Sequence, residues 1–203
     1  MLASLIIISA PSGAGKTSLV KALSKRMQHV VRAVSYTTRQ PRLGEKEGKD
    51  YCFVSTKTFE TLIEQDGFVE YAKVFDHYYG TPKSLIESSL SKGIDVLLDI
   101  DWQGAAQLKA LPYPQMSLFI LPPSLEILRA RLEGRGQDSQ DVIERRMAQA
   151  TQEIQHYIDY EYIVINEQWD RALAECETLI EASRLSRDIQ VSRYQDAFTS
   201  LLG

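Results

Sequence analysis

Short apolar runs alternate with longer amphipathic segments along most of the chain. A short apolar run bounded by polar residues is typical of a buried strand, whereas apolar residues spaced three and four apart are typical of a helix. The alternation therefore predicts an α/β fold, in which helices cover a parallel sheet of five strands. The predicted strands are Leu5–Ser9, Val30–Val34, Ile94–Ile100, Met116–Leu121 and Tyr162–Ile165.

The amphipathic segments between these runs predict the helices. The clearest helix start is Ser124, which follows two prolines and precedes Leu125 and Glu126, because serine is a favoured N-cap residue. A last amphipathic helix is predicted over Ile189–Leu202. The other predicted helices are Lys16–Met27, Pro82–Ser91, Gly104–Lys109, Leu125–Leu132, Gln140–Tyr157 and Trp169–Ser186.

Two segments interrupt the alternation of strands and helices. Residues 35–80 are rich in Thr, Arg, Gly and Tyr, and they predict a small inserted α+β lobe. Its predicted elements are strands at Tyr51–Val54 and Phe68–Phe75 and a helix at Thr58–Gln65. Residues 129–146 hold five arginines and two glycines, which predict a mobile helical lid. The chain is thus expected to be one domain, with its core formed by residues 1–34, 81–128 and 147–203.

The composition narrows the class of protein. The chain has 203 residues, of which 44% are hydrophobic and 25% charged, which suits one globular core. The longest apolar run, Leu5–Ile8, is far shorter than the roughly 20 residues of a membrane-spanning helix, and neither a signal peptide nor a membrane partner is expected. The formal charge of −4 disfavours general nucleic-acid binding. Only two cysteines, Cys52 and Cys176, are present, so free thiols and a cytoplasmic location are expected.

A glycine-rich segment lies directly between the first predicted strand and the first predicted helix. In this context Gly13 and Gly15 allow backbone N–H groups to surround phosphate oxygens at a helix N-terminus. Lys16 then reaches the β and γ phosphates of a nucleoside triphosphate, and the Thr17 hydroxyl ligates Mg²⁺. The usual pattern begins with glycine, where this chain has Ala10; the alternative interpretation is an ordinary glycine turn. The segment, predicted to bind ATP, comprises Ala10, Pro11, Ser12, Gly13, Ala14, Gly15, Lys16 and Thr17.

Two aspartates end the predicted strand Ile94–Ile100 at the edge where ligands bind in such sheets. Asp99 and Asp101 are two residues apart, so their side chains point to the same side. One of them can hold the hydration shell of Mg²⁺. The alternative is that they only cap the helix that follows Trp102.

The order of several motifs resembles the guanylate kinase family. The resemblance runs from residue 10 to about Asn166 and covers most of the chain. It implies a P-loop nucleoside monophosphate kinase fold, with a GMP-binding lobe at residues 35–80 and a lid at residues 129–146. The motifs are the glycine-rich segment, the stretch from Ser35 to Glu45, Asp50-Tyr51, Glu70, Tyr79-Gly80-Thr81 and the stretch from Asp99 to Gly104.

The resemblance implies how an acceptor nucleotide is bound. Glu70 and Asp101 match residues that accept hydrogen bonds from guanine N1–H and the exocyclic amine, while Ser35 and Thr81 donate to O6. Adenine would leave those carboxylates unpaired. Without the surrounding motifs, the alternative interpretation is that Glu70 is an acidic surface residue and that Arg39 and Arg42 are a solvated surface pair. The residues that match contacts to the GMP phosphate are Arg39, Arg42, Tyr51 and Tyr79.

The resemblance also implies contacts to the donor nucleotide. Arg131, Arg135 and Arg146 match arginines that close over the triphosphate, where their charge stabilises the transferring phosphoryl group. A salt-bridged surface helix pair is the alternative for each of them. Asp99 matches the acid that orients Mg²⁺ through water, and Asn166 matches a position near adenine, although it could equally cap the next helix. The residues expected to be catalytic are Lys16, Arg39, Arg131, Arg135 and Arg146.

These observations predict an enzyme that transfers the γ-phosphoryl group of ATP to GMP, and to dGMP, in a direct in-line step with Mg²⁺. Two other hypotheses fit parts of the pattern. One is a kinase of another small phosphate acceptor, which would not require Glu70 and Asp101 together. The other is a guanylate-kinase-like binding module, which would not require an intact Lys16 and Thr17. The sequence leaves the oligomeric state undecided.

Overall fold

The computed structural model of the protein describes residues 3–42, 44–74, 76–134 and 139–202. Nine strands and nine α-helices lie within these ranges, together with one 3-10 helix at Gln155–Asp159. The strands are β1 (Leu5–Ser9), β2 (Val30–Arg32), β3 (Tyr36–Thr37), β4 (Cys52–Phe53), β5 (Phe68–Val74), β6 (His77–Pro82), β7 (Asp95–Asp99), β8 (Gln115–Leu121) and β9 (Tyr162–Ile165).

The helices agree with the predicted ones in number and position, except at the C-terminus. In the ranges given above, no helix is both long enough and apolar enough to cross a membrane. The helices are α1 (Lys16–Arg26), α2 (Thr56–Glu64), α3 (Lys83–Leu90), α4 (Trp102–Leu108), α5 (Leu125–Glu133), α6 (Gln140–Ile154), α7 (Trp169–Ser183), α8 (Arg187–Arg193) and α9 (Gln195–Leu202).

The larger sheet has five strands in the order β2-β7-β1-β8-β9, and every neighbouring pair is parallel. The prediction of a parallel five-stranded sheet is therefore confirmed. Its central strand β1 is buried along its whole length, as its run of leucine and isoleucines requires. Leu5 is paired with Val96 on one side and Gln115 on the other. This register brings the carboxyl ends of β1 and β7 together, at the edge where Ala10 and Ile100 follow.

Helices cover both faces of this sheet. On one face, buried side chains of α1 and α7 such as Leu19, Leu23 and Leu173 pack against β1 and β8. On the other, Ile86 of α3 and Leu108 of α4 pack against β1 and β7. Each such buried aliphatic side chain contributes about 1.5–3 kcal/mol to folding. The two layers therefore hold the sheet's carboxyl edge rigidly.

A second sheet has four strands in the order β4-β3-β6-β5, and Phe59 of α2 packs on it by stacking against Phe68 and Tyr78. Sequence analysis did not predict β3 and β6. The first of these has only two residues, and the second contains Gly80 and Pro82, which are unfavourable in strands. Helix α2 begins at Thr56, two residues before its predicted start, because Ser55 caps it by accepting a hydrogen bond from Thr58 N at 3.1 Å.

The C-terminal prediction of one helix over Ile189–Leu202 is wrong. The backbone of Tyr194 leaves the helical region, with φ −118° and ψ 33°, so that α8 and α9 are separate. Only Ile189 is buried in α8, and no residue of α9 is. Amphipathic spacing alone therefore did not decide whether the helix continues, since little tertiary packing holds this end.

Candidate active site

The glycine-rich loop between β1 and α1 has a backbone that other residues could not adopt. Gly13 and Gly15 have φ values of +94° and +97°, in the left-handed region that favours glycine. A Cβ atom at Gly13 would lie 2.9 Å from Leu128 and from Leu132 of α5. At Gly15 it would lie 2.5 Å from the side-chain nitrogen of Asn166. Both glycines are therefore required by conformation and by neighbouring elements.

Lys16, the first residue of α1, is bonded to the end of β7. Its Nζ lies 2.9 Å from Asp99 Oδ1 and donates to the carbonyl oxygen of Ile100 at 2.7 Å. Burial alone would raise the pKa of Asp99, but Lys16, Arg32 and the Thr17 hydroxyl hold that pKa below its ordinary value. Among the described residues, the buried Asp99 Oδ2 has no hydrogen-bond partner. Two oxygen ligands thus meet at the loop, one each from Thr17 and Asp99.

Helix α6 contacts the loop through Ser12. Arg146 donates to Ser12 Oγ from Nε at 3.2 Å and from Nη2 at 2.7 Å. The backbone N–H of Ser12 donates to Glu153 Oε2 at 3.0 Å. Burial raises the pKa of Glu153, while its bond to Ser12 and the charge of Lys16 act in the opposite direction. Glu153 was given no role in the sequence analysis, because no motif marks it.

The remaining donor-side predictions lie behind the loop or outside the described residues. Asn166 is 4% exposed, and its Nδ2 donates to the carbonyl oxygen of Ala14 at 2.7 Å. Arg131 Nη2 donates to the carbonyl oxygen of Asn166 at 2.8 Å. Asn166 thus supports the loop on the side away from the cavity, and Arg131 supports Asn166. Neither residue lines the cavity that the loop faces. Arg135 falls within residues 135–138, which the structure does not describe.

The far end of the same cavity holds Glu70, on β5. This carboxylate is 3% exposed, and its Oε1 accepts a hydrogen bond from Thr81 Oγ1 at 2.5 Å. The Thr81 hydroxyl lies 3.2 Å from Ser35 Oγ, so three of the predicted base-binding side chains form one chain of contacts. Burial raises the pKa of Glu70 to about 7, the bond from Thr81 opposes this shift, and the nearby charge of Asp101 adds to it.

Helix α4 packs directly against Glu70. A Cβ atom on Gly104 would lie 2.4 Å from Glu70 Oε2, so only glycine leaves the carboxylate its place. Asp101 caps this helix, with Oδ1 accepting from Gly104 N at 2.9 Å and Oδ2 from Gln103 Nε2 at 3.3 Å. Asp101 therefore caps helix α4, as the alternative interpretation holds, but it also lines the cavity, so capping is not its only contact with the site. Asp99 instead pairs with Lys16.

Arg39 and its neighbours form a third corner of the cavity. Its guanidinium donates to Glu45 through two nitrogens, at 3.0 and 2.8 Å, and to Tyr79 Oη from Nε at 3.2 Å. The guanidinium carbon lies 5.5 Å from the centre of the Tyr51 ring. Glu45 also accepts from the backbone N–H of Arg42 at 2.7 Å. Sequence analysis placed Glu45 in the motif without a role, yet it contacts both the guanidinium of Arg39 and the backbone of Arg42.

One cavity of about 510 Å³ joins these groups. It brings together the glycine-rich loop, the carboxylates of Glu70 and Asp101 and the arginine corner, although they come from distant parts of the sequence. Thr81, Asn166 and Arg131 support its wall without lining it. The chemically important lining residues are Ser12, Lys16, Thr17, Ser35, Arg39, Arg42, Tyr51, Glu70, His77, Tyr79, Asp99, Asp101, Arg145, Arg146 and Glu153.

The whole chain is similar to known proteins of one family. The family model described as guanylate kinase matches residues 3–183. The guanylate kinase of Pasteurella multocida is 52% identical over 201 residues, covering 98% of this chain and 97% of that protein. That of Saccharophagus degradans is 50% identical over 198 residues, covering 98% of this chain and 97% of that protein.

A solved structure is also similar. The crystal structure of guanylate kinase from Anaplasma phagocytophilum aligns with a TM-score of 0.76 and 33% sequence identity, over 92% of this chain and 88% of that one. The parallel five-stranded sheet with its flanking helices agrees with this structural match. The chain therefore belongs to the guanylate kinase family, whose reaction is phosphoryl transfer from ATP to GMP.

Proposed function

We propose that the protein carries out ATP:GMP phosphoryl transfer within the single cavity, with ATP at the glycine-rich loop and GMP at the Glu70 end. The observation that carries the proposal is that both ends open onto the same 510 Å³ cavity. Two nucleotides bound there would have their phosphates facing each other. Proximity and orientation alone can then lower much of the barrier.

On the donor side, the loop would hold the triphosphate with its backbone N–H groups and the N-terminus of α1. Without substrate, the Lys16 ammonium group is the partner of the Asp99 carboxylate. When ATP binds, Lys16 would leave Asp99 and contact the β and γ phosphates. Asn166 supports this site indirectly, through its bond to Ala14. The resemblance implied a contact to adenine, but the buried position of Asn166 favours bracing of the loop.

The cation fits the oxygen groups beside Lys16. The Thr17 hydroxyl and the unpartnered Asp99 Oδ2 are hard oxygen ligands of the kind that Mg²⁺ prefers. Bound with ATP, Mg²⁺ would neutralise charge on the phosphates. The described residues include no cluster of three or more His, Cys, Asp or Glu that could hold a metal, which suits an ion that arrives with the nucleotide.

On the acceptor side, guanine would be recognised by its donors. The carboxylates of Glu70 and Asp101 would accept from N1–H and the exocyclic amine, and the Ser35 hydroxyl would face O6. Thr81 does not line the cavity, and its hydroxyl donates to Glu70, so Thr81 would orient that carboxylate instead of contacting O6. Because Glu70 is buried, a base lacking those donors would leave an unpaired carboxylate, which is costly. The GMP phosphate would lie between Arg39, Arg42, Tyr51 and Tyr79, where Glu45 holds the Arg39 guanidinium and the Arg42 backbone.

The transfer itself requires no nucleophilic side chain. The GMP phosphate oxygen would attack the γ-phosphorus directly, and the bond from that phosphorus to the β,γ-bridging oxygen would break, which gives GDP and releases ADP. Arg146, already beside Ser12, would stabilise the charge that spreads over the transferring group. Arg135 would join it from the lid, and Arg131 would act through Asn166. In this proposal residues 129–146 close the site and residues 35–80 hold GMP.

The free state of Cys52 and Cys176 supports a reducing compartment, and we place the enzyme in the cytoplasm.

The test is to measure ADP release from ATP and Mg²⁺ with each nucleoside monophosphate in turn. GMP should support the fastest turnover, and dGMP should follow because the ribose plays no part in the base contacts above. Turnover with a sugar phosphate but not with GMP would contradict the proposal. Tight GMP binding without any turnover would indicate a binding module instead.

A further inference from the structure

Ser12 receives two contacts from one face of helix α6. Its hydroxyl accepts from Arg146, and its backbone N–H donates to Glu153. These two residues are seven apart, which places them on the same side of the helix about 10 Å from each other along its axis. One residue of the glycine-rich loop (the phosphate loop, residues 10–17) is therefore attached to helix α6 at two separate points.

Glu153 is itself held in place. Gln149, one turn earlier on α6, donates to Glu153 Oε1 at 3.2 Å, which leaves Oε2 for Ser12. The carboxylate is largely buried and lines the cavity together with Lys16 and Asp101. A negative charge in a site for polyanions is costly unless it has a specific use. None of the base, phosphate or cation contacts proposed above uses it.

We propose that Glu153 is a positioning residue for phosphoryl transfer. Its bond to the Ser12 backbone N–H fixes helix α6 relative to the loop, and this places Arg146 where it can contact the transferring group. The inference rests on the proposed function. Without the Glu153 carboxylate as hydrogen-bond acceptor, the C-terminal half of α6 can move relative to the loop, and Arg146 moves with it. A misplacement of 1 Å in such a site can cost about 100-fold in rate.

Two variants remove the acceptor in different ways. Glu153→Ala empties the space, whereas Glu153→Met fills it without an acceptor oxygen and keeps the packing of α6. Both should lower kcat for GMP phosphorylation by about 10–100-fold and change the KM for GMP by less than about threefold. Glu153→Gln keeps an oxygen that can accept from Ser12 N, so it should stay within about threefold of wild-type kcat.

Glu144→Ala is the matched control. It removes a carboxylate from the same helix, where Glu144 pairs with Arg129 at the surface. This variant should keep wild-type kcat. Equal losses in Glu144→Ala and Glu153→Ala would mean that any weakening of the lid slows turnover, and this would overturn the proposal.

A double-mutant cycle tests the two-point attachment. Ser12→Ala removes the hydroxyl that Arg146 contacts but leaves the backbone N–H. If both contacts position one helix, adding Glu153→Ala to Ser12→Ala should lower kcat much less than it does in the wild-type enzyme. Strictly additive losses would contradict the coupling.

Three outcomes overturn the proposal while the proposed function stands. They are wild-type kcat in both Glu153→Ala and Glu153→Met, a loss in Glu153→Gln as large as in Glu153→Ala, and a lower KM for ATP with unchanged kcat. The last would mean that the carboxylate opposes ATP binding. Failure of the wild-type enzyme to phosphorylate GMP would instead refute the proposed function, so the two failures are distinguishable.

Discussion

In the proposed function, the two ends of the cavity bind their ligands by different means. At the phosphate loop the backbone provides the contacts, and neighbouring elements leave no room for a side chain at Gly13 or Gly15. At the Glu70 end the side chains provide them, and Gly104 leaves the space that the Glu70 carboxylate occupies. The first end is shaped by backbone conformation, the second by a network of carboxylate and hydroxyl groups.

This difference determines what each end can distinguish. Backbone N–H groups and one lysine recognise phosphate, which every nucleoside triphosphate carries, so the loop alone names no base. Buried carboxylates recognise a pattern of donors and exclude ligands that lack it. We therefore expect selectivity to reside at the Glu70 end, and the rate of transfer to depend mainly on the loop and the lid.

The largest expected effect concerns the base. GMP should exceed AMP in kcat/KM by about 10⁴-fold, with IMP between them because it lacks only the exocyclic amine. The double variant Glu70→Gln with Asp101→Asn should lower kcat/KM for GMP strongly and narrow the difference from AMP, since an amide can donate to adenine N1. The measurement is kcat/KM for the three nucleotides in both proteins. Unchanged GMP preference in the variant would show that other residues read the base.

At the loop, Lys16→Ala should lower kcat by about 10³-fold, because it removes the cation that contacts the transferring phosphates. The same change leaves the buried Asp99 without its partner, so Tm should fall as well. Adding Asp99→Asn should recover Tm but not activity, which separates the two effects. Steady-state kinetics and thermal unfolding of both variants test this. Wild-type turnover in Lys16→Ala would contradict the role given to the loop.

The arginine corner should affect acceptor binding more than the rate. Glu45→Ala releases the guanidinium of Arg39 and the backbone of Arg42, so the KM for GMP should rise about tenfold, with a smaller change in kcat. Glu64→Ala, which removes an exposed carboxylate from the same lobe, is the control and should behave as wild type. A fall in kcat with an unchanged KM would place Glu45 in the transfer step instead.

Close to neutral pH, the smallest effect is the dependence on pH. The pKa of Glu70 is about 7 in the empty site, and in the proposed function this carboxylate must be ionised to accept a hydrogen bond from guanine. Thus kcat/KM for GMP should fall about tenfold per pH unit below 7 and be level above it. Glu70→Gln should lose this step and retain only that of the GMP phosphate, which serves as the control. Identical pH profiles for the two proteins would contradict the assignment.

The same shift affects stability. In the unfolded chain Glu70 ionises near its ordinary pKa of 4.5, before it does so in the folded protein. The stabilising contribution of the protonated form is therefore complete below pH 4.5 and is lost as pH rises through about 7. Thermal unfolding of the nucleotide-free wild type and of Glu70→Gln should show this difference.

Sequence analysis worked best where the structure is local. All five strands of the core sheet were predicted within a few residues, and so was the Ser124 cap, because each depends on neighbours in the chain. It failed for the two-residue strand β3 and for the break at Tyr194. In both places the pattern is too short, or the tertiary packing too sparse, for periodicity to decide.

The sequence alone determined the phosphate loop and the alternation of strands and helices, since a loop of this kind needs only its glycines, its lysine and the flanking elements. Only the tertiary structure decided which partners complete the site. Lys16 meets Ile100 across 84 residues, and Ser12 meets Glu153 across 141. Such contacts form because the packing of the sheet and helices brings distant residues together, and a lone acidic residue such as Glu153 carries no local signal of its partner.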